Sequence, residues 1–472
     1  MTHKVSPGED QSRDDDVPWL KEMADETVGL SMDLVAAVQE ALESGASDQV
    51  RRLVEDVHEA DLADLLESLD REDRVQLVTI LGKDFDSEAL PYLDGTVLEE
   101  VTDALGPAEL ARSLEELDSD DAFEVFEELD DEVQQQILPT LPEANRVVLE
   151  ESLSFPEESA GRLMQREVVV VPEAWNVGET IDYMRAAEDL PDDFYDLFVV
   201  NPKHHPVGMV PLSRAMRTRR PVPLTDIMED DLRAIPVTMN QEDVAYIFRQ
   251  YGLVSAPVLD DGGRLVGVIT VDDVVHIIDE EAEDDIMKLG GVGETDLYSD
   301  LMDTTKARSS WLGVNLITAI VASAVIGLFE GTIDQLVALA VLMPIVASMG
   351  GNAGTQSLTV AVRAIAMKDL TDATARRFIS KEFLVSAING CLFAVLTGAV
   401  AWLWFGSVSL GVVLGVAMII NMGVAGLSGA LIPLGLEKFG IDPALASSIF
   451  LTTVTDVVGF FSFLGLAAFF LL

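Results

Sequence analysis

Asp456 is the only charged residue of "TTVTDVVGFFSFLGLAAFFLL", Thr452 to Leu472, a segment that otherwise reads as membrane-spanning. A charge near the centre of a bilayer costs about 2.5 to 3.5 kcal/mol on insertion scales, so it normally faces a protein interior or a water-filled path. No Lys, Arg or His lies at membrane depth in any apolar segment of the chain to pair with it. Its charge must therefore be met by a mobile cation, by water or by a proton. Amides accompany it: "MGGNAGTQS", Met349 to Ser357, carries Asn352 and Gln356, and "IINMGVAGLSGALIP", Ile419 to Pro433, carries Asn421. Inside apolar helices such amides either bond helix to helix or line a polar path, while Gly350, Gly351, Gly426 and Gly429 let helices approach.

A second set of carboxylates lies upstream, in "DDVVHIIDEEAEDDIMKLGG". Eight acids fall among the fourteen residues Asp272 to Asp285, with no Lys or Arg. A helix here sets Asp273, Glu280, Glu283 and Asp284 near one stripe, where like charges three and four residues apart repel. Two readings stand, a solvated acidic face and a divalent-cation site.

Charge divides the chain. Residues 305–472 hold 8 Lys and Arg against 8 Asp and Glu, which leaves 22 basic and 74 acidic residues for positions 1–304 and puts the whole net charge of −52 there. Phosphate binding needs a basic surface, so nucleic acid is not expected as a partner. Only 9 Lys against 21 Arg, beside so many acids, is also the surface of a protein that works in concentrated salt. The single cysteine, Cys391, lies in an apolar run and reads as a buried small side chain. No nucleophile and base pair, phosphate-cradling glycine loop or metal-ligand spacing stands out, so an enzyme is not expected.

The elements that must carry these groups change in texture along the sequence. The polar start, residues 1–18, reads as a disordered tail. Residues 19–158 show apolar positions at three- and four-residue spacing, as amphipathic helices require. "LADLLESLD" at Leu62 to Asp70 returns as "LARSLEELD" at Leu110 to Asp118 and as "AFEVFEELD" at Ala122 to Asp130, and short units of this kind stack into a superhelix. Residues 159–280 are a duplication, in which "LMQREVVVVPEAWNVGETIDYMR" aligns with "IMEDDLRAIPVTMNQEDVAYIFR". Residues 281–304 complete the acidic connection. Residues 305–472 contain five membrane segments, Trp311 to Phe329, about Gln335 to Met367, Phe383 to Phe405, Val408 to Leu436 and Ala444 to Leu472, each long enough to cross about 30 Å of hydrocarbon. Lys306, Arg308, Arg363, Lys368, Arg376, Arg377, Lys381 and Lys438 mark one side, whereas the connections "EGTID" and "GSVS" have no Lys or Arg. The soluble part is then cytoplasmic and the C-terminus outside.

The two βαβ-rich copies resemble a tandem pair of CBS domains, a regulatory module whose cleft often holds an adenine nucleotide such as ATP. Thr270 and Asp273 match the ribose and phosphate contacts of that family, whereas the first copy offers Ser213 and Arg214. With "PIVASMGGNAGTQS", "NMGVAGLSGALIPLGL" and "DPALASSIFLTTVTDVVGFFSFLGLA" added, the chain resembles the MgtE-type magnesium channel and transporter family over almost its whole length. The resemblance implies an α-helical superhelical repeat domain, an α/β CBS pair and an all-α domain of five membrane helices. It implies a plasma-membrane homodimer with one Mg²⁺ pore on the twofold axis, lined mainly by the second and fifth segments and bearing Asp456. It places Asp442 near the inner mouth and makes the acidic connection, from about Asp272 to Gly290, a plug. There Asp272, Glu280, Glu283 and Asp284, with Asp121 in the helical domain, are regulatory metal candidates. A carrier of another divalent ion, Mn²⁺ or Co²⁺, and a membrane-tethered cation or nucleotide sensor are the rival readings.

Overall fold

The computed structural model describes residues 30–187, 190–191, 194–292, 301–370 and 372–472. The tail expected over residues 1–18 lies outside them. Two compact units divide the chain, Met1–Val274 and Val275–Leu472.

Among the described residues the first unit begins with eight helices: α1 (Met32–Glu43), α2 (Ser47–Val54), α3 (Glu59–Ser68), α4 (Arg71–Leu81), α5 (Gly95–Glu116), α6 (Ser119–Glu128), α7 (Asp131–Ile137) and α8 (Glu143–Ser152). The sequence repeat has a physical meaning here. Its first, fourth, fifth and eighth positions are buried in every copy: Leu62, Leu65, Leu66 and Leu69, then Leu110, Ser113, Leu114 and Leu117, then Ala122, Val125, Phe126 and Leu129. The last Leu of each copy turns extended and ends the helix, and the Asp after it becomes the N-cap of the next. At Asp70 the side chain accepts the Asp73 backbone N–H at 3.0 Å, the pairing that satisfies an orphan donor of a first turn. Arg74 closes the other end of α3, donating to the carbonyls of Leu66 at 2.8 Å and Leu69 at 2.9 Å. Helix α5 is broken at Gly106, whose φ of 75° precedes Pro107, a left-handed position that favours glycine.

After a single turn, α9 (Ala160–Leu163), come the two copies. The first is β1 (Val170–Pro172), α10 (Val177–Ala186), β2 (Asp196–Val200), β3 (Pro206–Pro211) and α11 (Leu212–Arg217). The second is β4 (Ile235–Pro236), α12 (Gln241–Tyr251), β5 (Ser255–Leu259) and β6 (Leu265–Thr270). Each makes a three-stranded sheet with one parallel and one antiparallel pair in the same order. The copies are interlocked, because Gln165 and Val268 exchange both backbone hydrogen bonds at 2.8 and 2.9 Å. Phe198 and Val200 of one sheet pack with Leu265 and Val268 of the other.

Helix α13 (Val271–Gly290) starts in the first unit and has most of its length in the second. The second unit continues with α14 (Leu301–Gly327), a short α15 (Glu330–Gln335) where a bare connection was expected, α16 (Ala338–Ala366), α17 (Asp372–Phe405), α18 (Val408–Lys438) and α19 (Pro443–Phe470). Among the described residues α14, α16, α17, α18 and α19 are long and apolar enough to span a membrane. Helix α18 is central, packed by α16, α17 and α19. Glycines set these distances: a Cβ on Gly398 would lie 2.8 Å from the Gly411 carbonyl oxygen, so α17 and α18 touch backbone to backbone, as small residues allow in membranes. Cys391 faces outward from α17 rather than inward. An apolar run reads the same whichever side meets lipid.

Candidate functional site

Helix α16 runs unbroken through "MGGNAGTQS" and has two unlike faces. Leu339, Leu342, Val346, Gly350, Gly354 and Ser357 are buried. Asn352, Thr355, Gln356 and Thr359 are exposed and, at three- and four-residue spacing, form one stripe on the other side. The threonines satisfy their own hydroxyls, Thr355 donating to Gly351 O and Thr359 to Thr355 O, both at 3.0 Å. The amides of Asn352 and Gln356 make no hydrogen bond among the described residues. Asp456 on α19 is half-buried and has no ion pair or hydrogen bond among them either. One turn before it, Thr452 donates to Ser448 O at 2.8 Å.

Asn352 and Asp456 lie at one height, and Gln356 lies one helical turn from Asn352 along α16. Gly350 of α16 and Gly459 of α19 both pack on Asn421 of α18, and Gly354 packs on Leu451, so α16 and α19 run antiparallel. Asn352 is two residues beyond Gly350 and Asp456 three before Gly459, which at about 1.5 Å per residue leaves them within about 2 Å in height. Asn421 itself is fully buried and donates to Val346 O at 2.9 Å. Of its two readings, the structure displays the bond between helices. Gly350, Gly426 and Gly429 are tightly packed, whereas Gly351 has open space.

In the first unit the structure brings Asp121 to Asp272 and Asp273. The carboxyl of Asp121 is pushed up to about 7 by burial and then by the charges of Asp273, Asp118, Asp272 and Glu88. Asp120 beside it is raised by burial, Asp273 and Asp121. The same edge is held by polar contacts across it: Ser119 Oγ donates to Glu167 at 2.7 Å, Gln165 donates to Asp118 at 2.8 Å, and Arg162 pairs with Glu127. In the second unit Asp284 and Asp442 meet at one ammonium, because Lys288 pairs with Asp284 and lies 2.9 Å from Asp442. Burial works against the charge of Lys288, but its hydrogen bonds to Asp284 and Asp442 outweigh that and hold it above the usual lysine range. Asp285 is raised to about 6 by burial and by Asp442, Asp284 and Glu281. Glu280 and Glu283 are exposed on α13. Among the described residues no three His, Cys, Asp or Glu side chains form a ready cage for a metal.

The nucleotide candidates hold each other, since Thr270 Oγ1 donates to Asp273 at 2.9 Å. In the first copy Arg214 is engaged by Ile227 O at 2.9 Å and by Glu229. Sequence reasoning missed three residues. Asp120 stands next to Asp121 in the acidic "SDDAF". Lys288 follows Asp284 by four residues, the spacing of a helical ion pair. Glu382, one residue before the third expected segment, is 8% exposed and accepts the Ser357 hydroxyl at 2.8 Å.

Five spanning helices that carry unsatisfied polar groups within about a helical turn of one another in depth, joined to an acidic helical repeat and a CBS-like pair, define a multi-pass membrane protein with a large part outside the spans. The chain belongs to the MgtE family of divalent cation transporters. That family's signature matches residues 343–466, the MgtE intracellular N domain residues 57–158, and the CBS domain residues 160–220 and 224–280. The magnesium transporter MgtE of Thermus thermophilus is 33% identical over 92% of this chain and 98% of its own length. That of Bacillus subtilis is 26% identical over 93% and 98%. Among solved structures, the cytosolic domain of the Mg²⁺ channel MgtE in complex with ATP is 31% identical over 52% of this chain and 99% of its own, with a TM-score of 0.48.

Proposed function

We propose that the chain imports Mg²⁺ across the plasma membrane, as a homodimer with one pore on the twofold axis and with its soluble part cytoplasmic and its C-terminus outside. One observation carries this reading: Asn352 and Asp456 lie at one height, with Gln356 one helical turn from Asn352, and none of the three side chains has a partner among the described residues. Left in lipid they would be costly. Facing a second copy across a twofold axis, they make a polar ring with two carboxylates. Mg²⁺ sheds water reluctantly and is usually held by one or two carboxylates plus waters, so such a ring suits a largely hydrated ion. The relatives named magnesium transporters support the choice of ion.

Cytosolic Mg²⁺ closes the pore in this reading. The crowded carboxylates Asp120, Asp121, Asp272 and Asp273, with Glu280 and Glu283 further along, repel until a cation relieves them, whereas Asp284 and Asp442 already share the ammonium of Lys288. Without a ready cage among the described residues, each site would hold the ion through water and bind weakly. Several such sites together supply the differential binding of about 5.5 kcal/mol that a switch from 1:99 to 99:1 needs. An adenine nucleotide acts at no more than one site per subunit, at Thr270 and Asp273, and is not hydrolysed.

The test is ion flux in proteoliposomes, comparing Mg²⁺, Mn²⁺, Co²⁺ and Ca²⁺ for the wild type and Asp456→Ala. We expect Mg²⁺ flux in the wild type and a loss of at least about a hundredfold in the variant, the scale set by about 2.7 kcal/mol at 1.4 kcal/mol per tenfold. Unchanged flux in an assembled Asp456→Ala protein rejects the pore assignment, and a wild type that passes Mn²⁺ or Co²⁺ better than Mg²⁺ rejects the ion.

A further inference from the structure

Helix α16 presents its polar stripe correctly only at one rotation about its axis, and a turn of about 100°, one residue, in the sense that carries Gln356 to the place of Ser357 would bury it. Apolar packing alone specifies such a rotation weakly in a membrane, where lipid tails are as apolar as leucine. Two buried polar bonds fix it instead. Asn421 Nδ2 donates to Val346 O at 2.9 Å, its only hydrogen bond among the described residues, since its Oδ1 has no partner. Ser357 Oγ donates to Glu382 Oε2 at 2.8 Å. Val346 and Ser357 are eleven residues apart, about 16 Å along the axis and only about 20° apart around it. They therefore hold the same face, and the height of Asn352 and Gln356 falls between them.

Glu382 is the unusual member. It is a carboxyl on α17, 8% exposed, with no Lys or Arg paired to it among the described residues and Ser357 as its one hydrogen-bonding side chain. Nothing in the pore reading uses it. Its surroundings are built for close approach: a Cβ on Gly429 would lie 2.9 Å from Ser357 Cβ and 2.6 Å from Gly354 O, and one on Gly426 would strike Ser386 Oγ. These two glycines of α18 let α16 and α17 close until the hydroxyl reaches the carboxyl.

We propose that Glu382 is a positioning residue, which through Ser357 sets the rotation of α16 and so points Gln356 and Asn352 into the ion path. The proposal rests on the pore reading of α16, and its test separates the two. The native cysteine is first replaced (Cys391→Ser), and a single cysteine is placed at Gln356. Its modification by a membrane-impermeant methanethiosulfonate is timed in full-length protein in liposomes, and Mg²⁺ flux is measured separately without the added cysteine. Glu382→Ala and Ser357→Ala should each slow modification and lower flux by about tenfold, and the double variant should be no worse than Glu382→Ala, because both remove one bond. Glu382→Gln, whose amide oxygen still accepts the hydroxyl, should stay within about twofold of the wild type on both readouts. Should Glu382→Ala fail to assemble, Ser357→Ala, which deletes only an oxygen, carries the comparison. The proposal falls if Glu382→Gln is as damaging as Glu382→Ala, since charge rather than the bond would then matter, or if modification at position 356 is unchanged in Ser357→Ala. Modification rates that follow the expected pattern in a protein carrying no Mg²⁺ would keep the positioning role and reject the pore.

Discussion

The two ends of α13 meet carboxylates under opposite conditions. At its start Asp272 and Asp273 face Asp120 and Asp121, and the leading charge effects on Asp121 all come from other acids. Near its end Asp284 and Asp442 share the ammonium of Lys288. On the gating reading, the acids at one end are relieved by an ion from outside, whereas at the other Lys288 already stands among them. Acidity alone therefore does not make a cation sensor; what matters is whether the chain already supplies the positive charge.

The strongest way to break this contrast is to remove the repulsion at the start. Changing Asp121, Asp272 and Asp273 together to their amides should leave the N-terminal part, residues 30–292, equally protease-resistant with and without millimolar Mg²⁺ at fixed high ionic strength. The wild type should differ by about tenfold or more, equivalent to about 1.4 kcal/mol. If both respond alike, or if neither responds at constant ionic strength, simple screening explains the acidity.

A smaller effect belongs to the other end. Lys288→Met keeps the length of the side chain and removes its charge, leaving Asp284, Asp285 and Asp442 without their ammonium. The Mg²⁺ concentration that half-closes the pore should rise by about fivefold, the scale of about 1 kcal/mol for a partly exposed ion pair. An unchanged or lower concentration would mean that Lys288 competes with the closing ion rather than assisting it.

The smallest effect is on pH. The carboxyl of Asp121 is pushed up to about 7 by burial and then by Asp273 and the other acids around it, far above its ordinary value. A raised carboxyl favours the packed state while protonated, so its contribution is fully present below the ordinary value and is lost as pH rises through about 7. With Mg²⁺ kept low, protease resistance of the N-terminal part should fall between pH 6 and pH 8, by about twofold to threefold given the neighbours that titrate with it. Asp121→Asn should flatten that profile.

Most of the architecture was legible because periodicity is local. The three- and four-residue spacing around Leu62, Leu110 and Ala122, the duplicated α/β copies and the five apolar runs each follow from residues close in sequence. Asp456 stood out for the same reason, as one charge in an apolar run. What escaped depends on contacts between distant segments. Lys288 meets Asp442 only after the chain has crossed the intervening helices, and Glu382 looked like the polar end of a connection until Ser357 was seen against it. Asn421 and Gln356 are indistinguishable as amides in apolar helices. Only the burial of one face of α16 and of the centre of α18 separates them. The outward Cys391 and the open space beside Gly351 have the same origin.

The threonines of α16 and α19 have a consequence for the shell of water around an ion. Thr355, Thr359, Thr452 and Thr453 all give their hydroxyl proton to the carbonyl one turn earlier. What each turns toward its surroundings is then a lone pair. A cation holds its waters by their oxygens and points their hydrogens outward, whereas an anion does the reverse. A wall of spent hydroxyls and carboxylates accepts hydrogens from the first kind of shell and offers few to the second, so on the pore reading this wall would select the sign of the ion by the orientation of its water, before any ligand is exchanged.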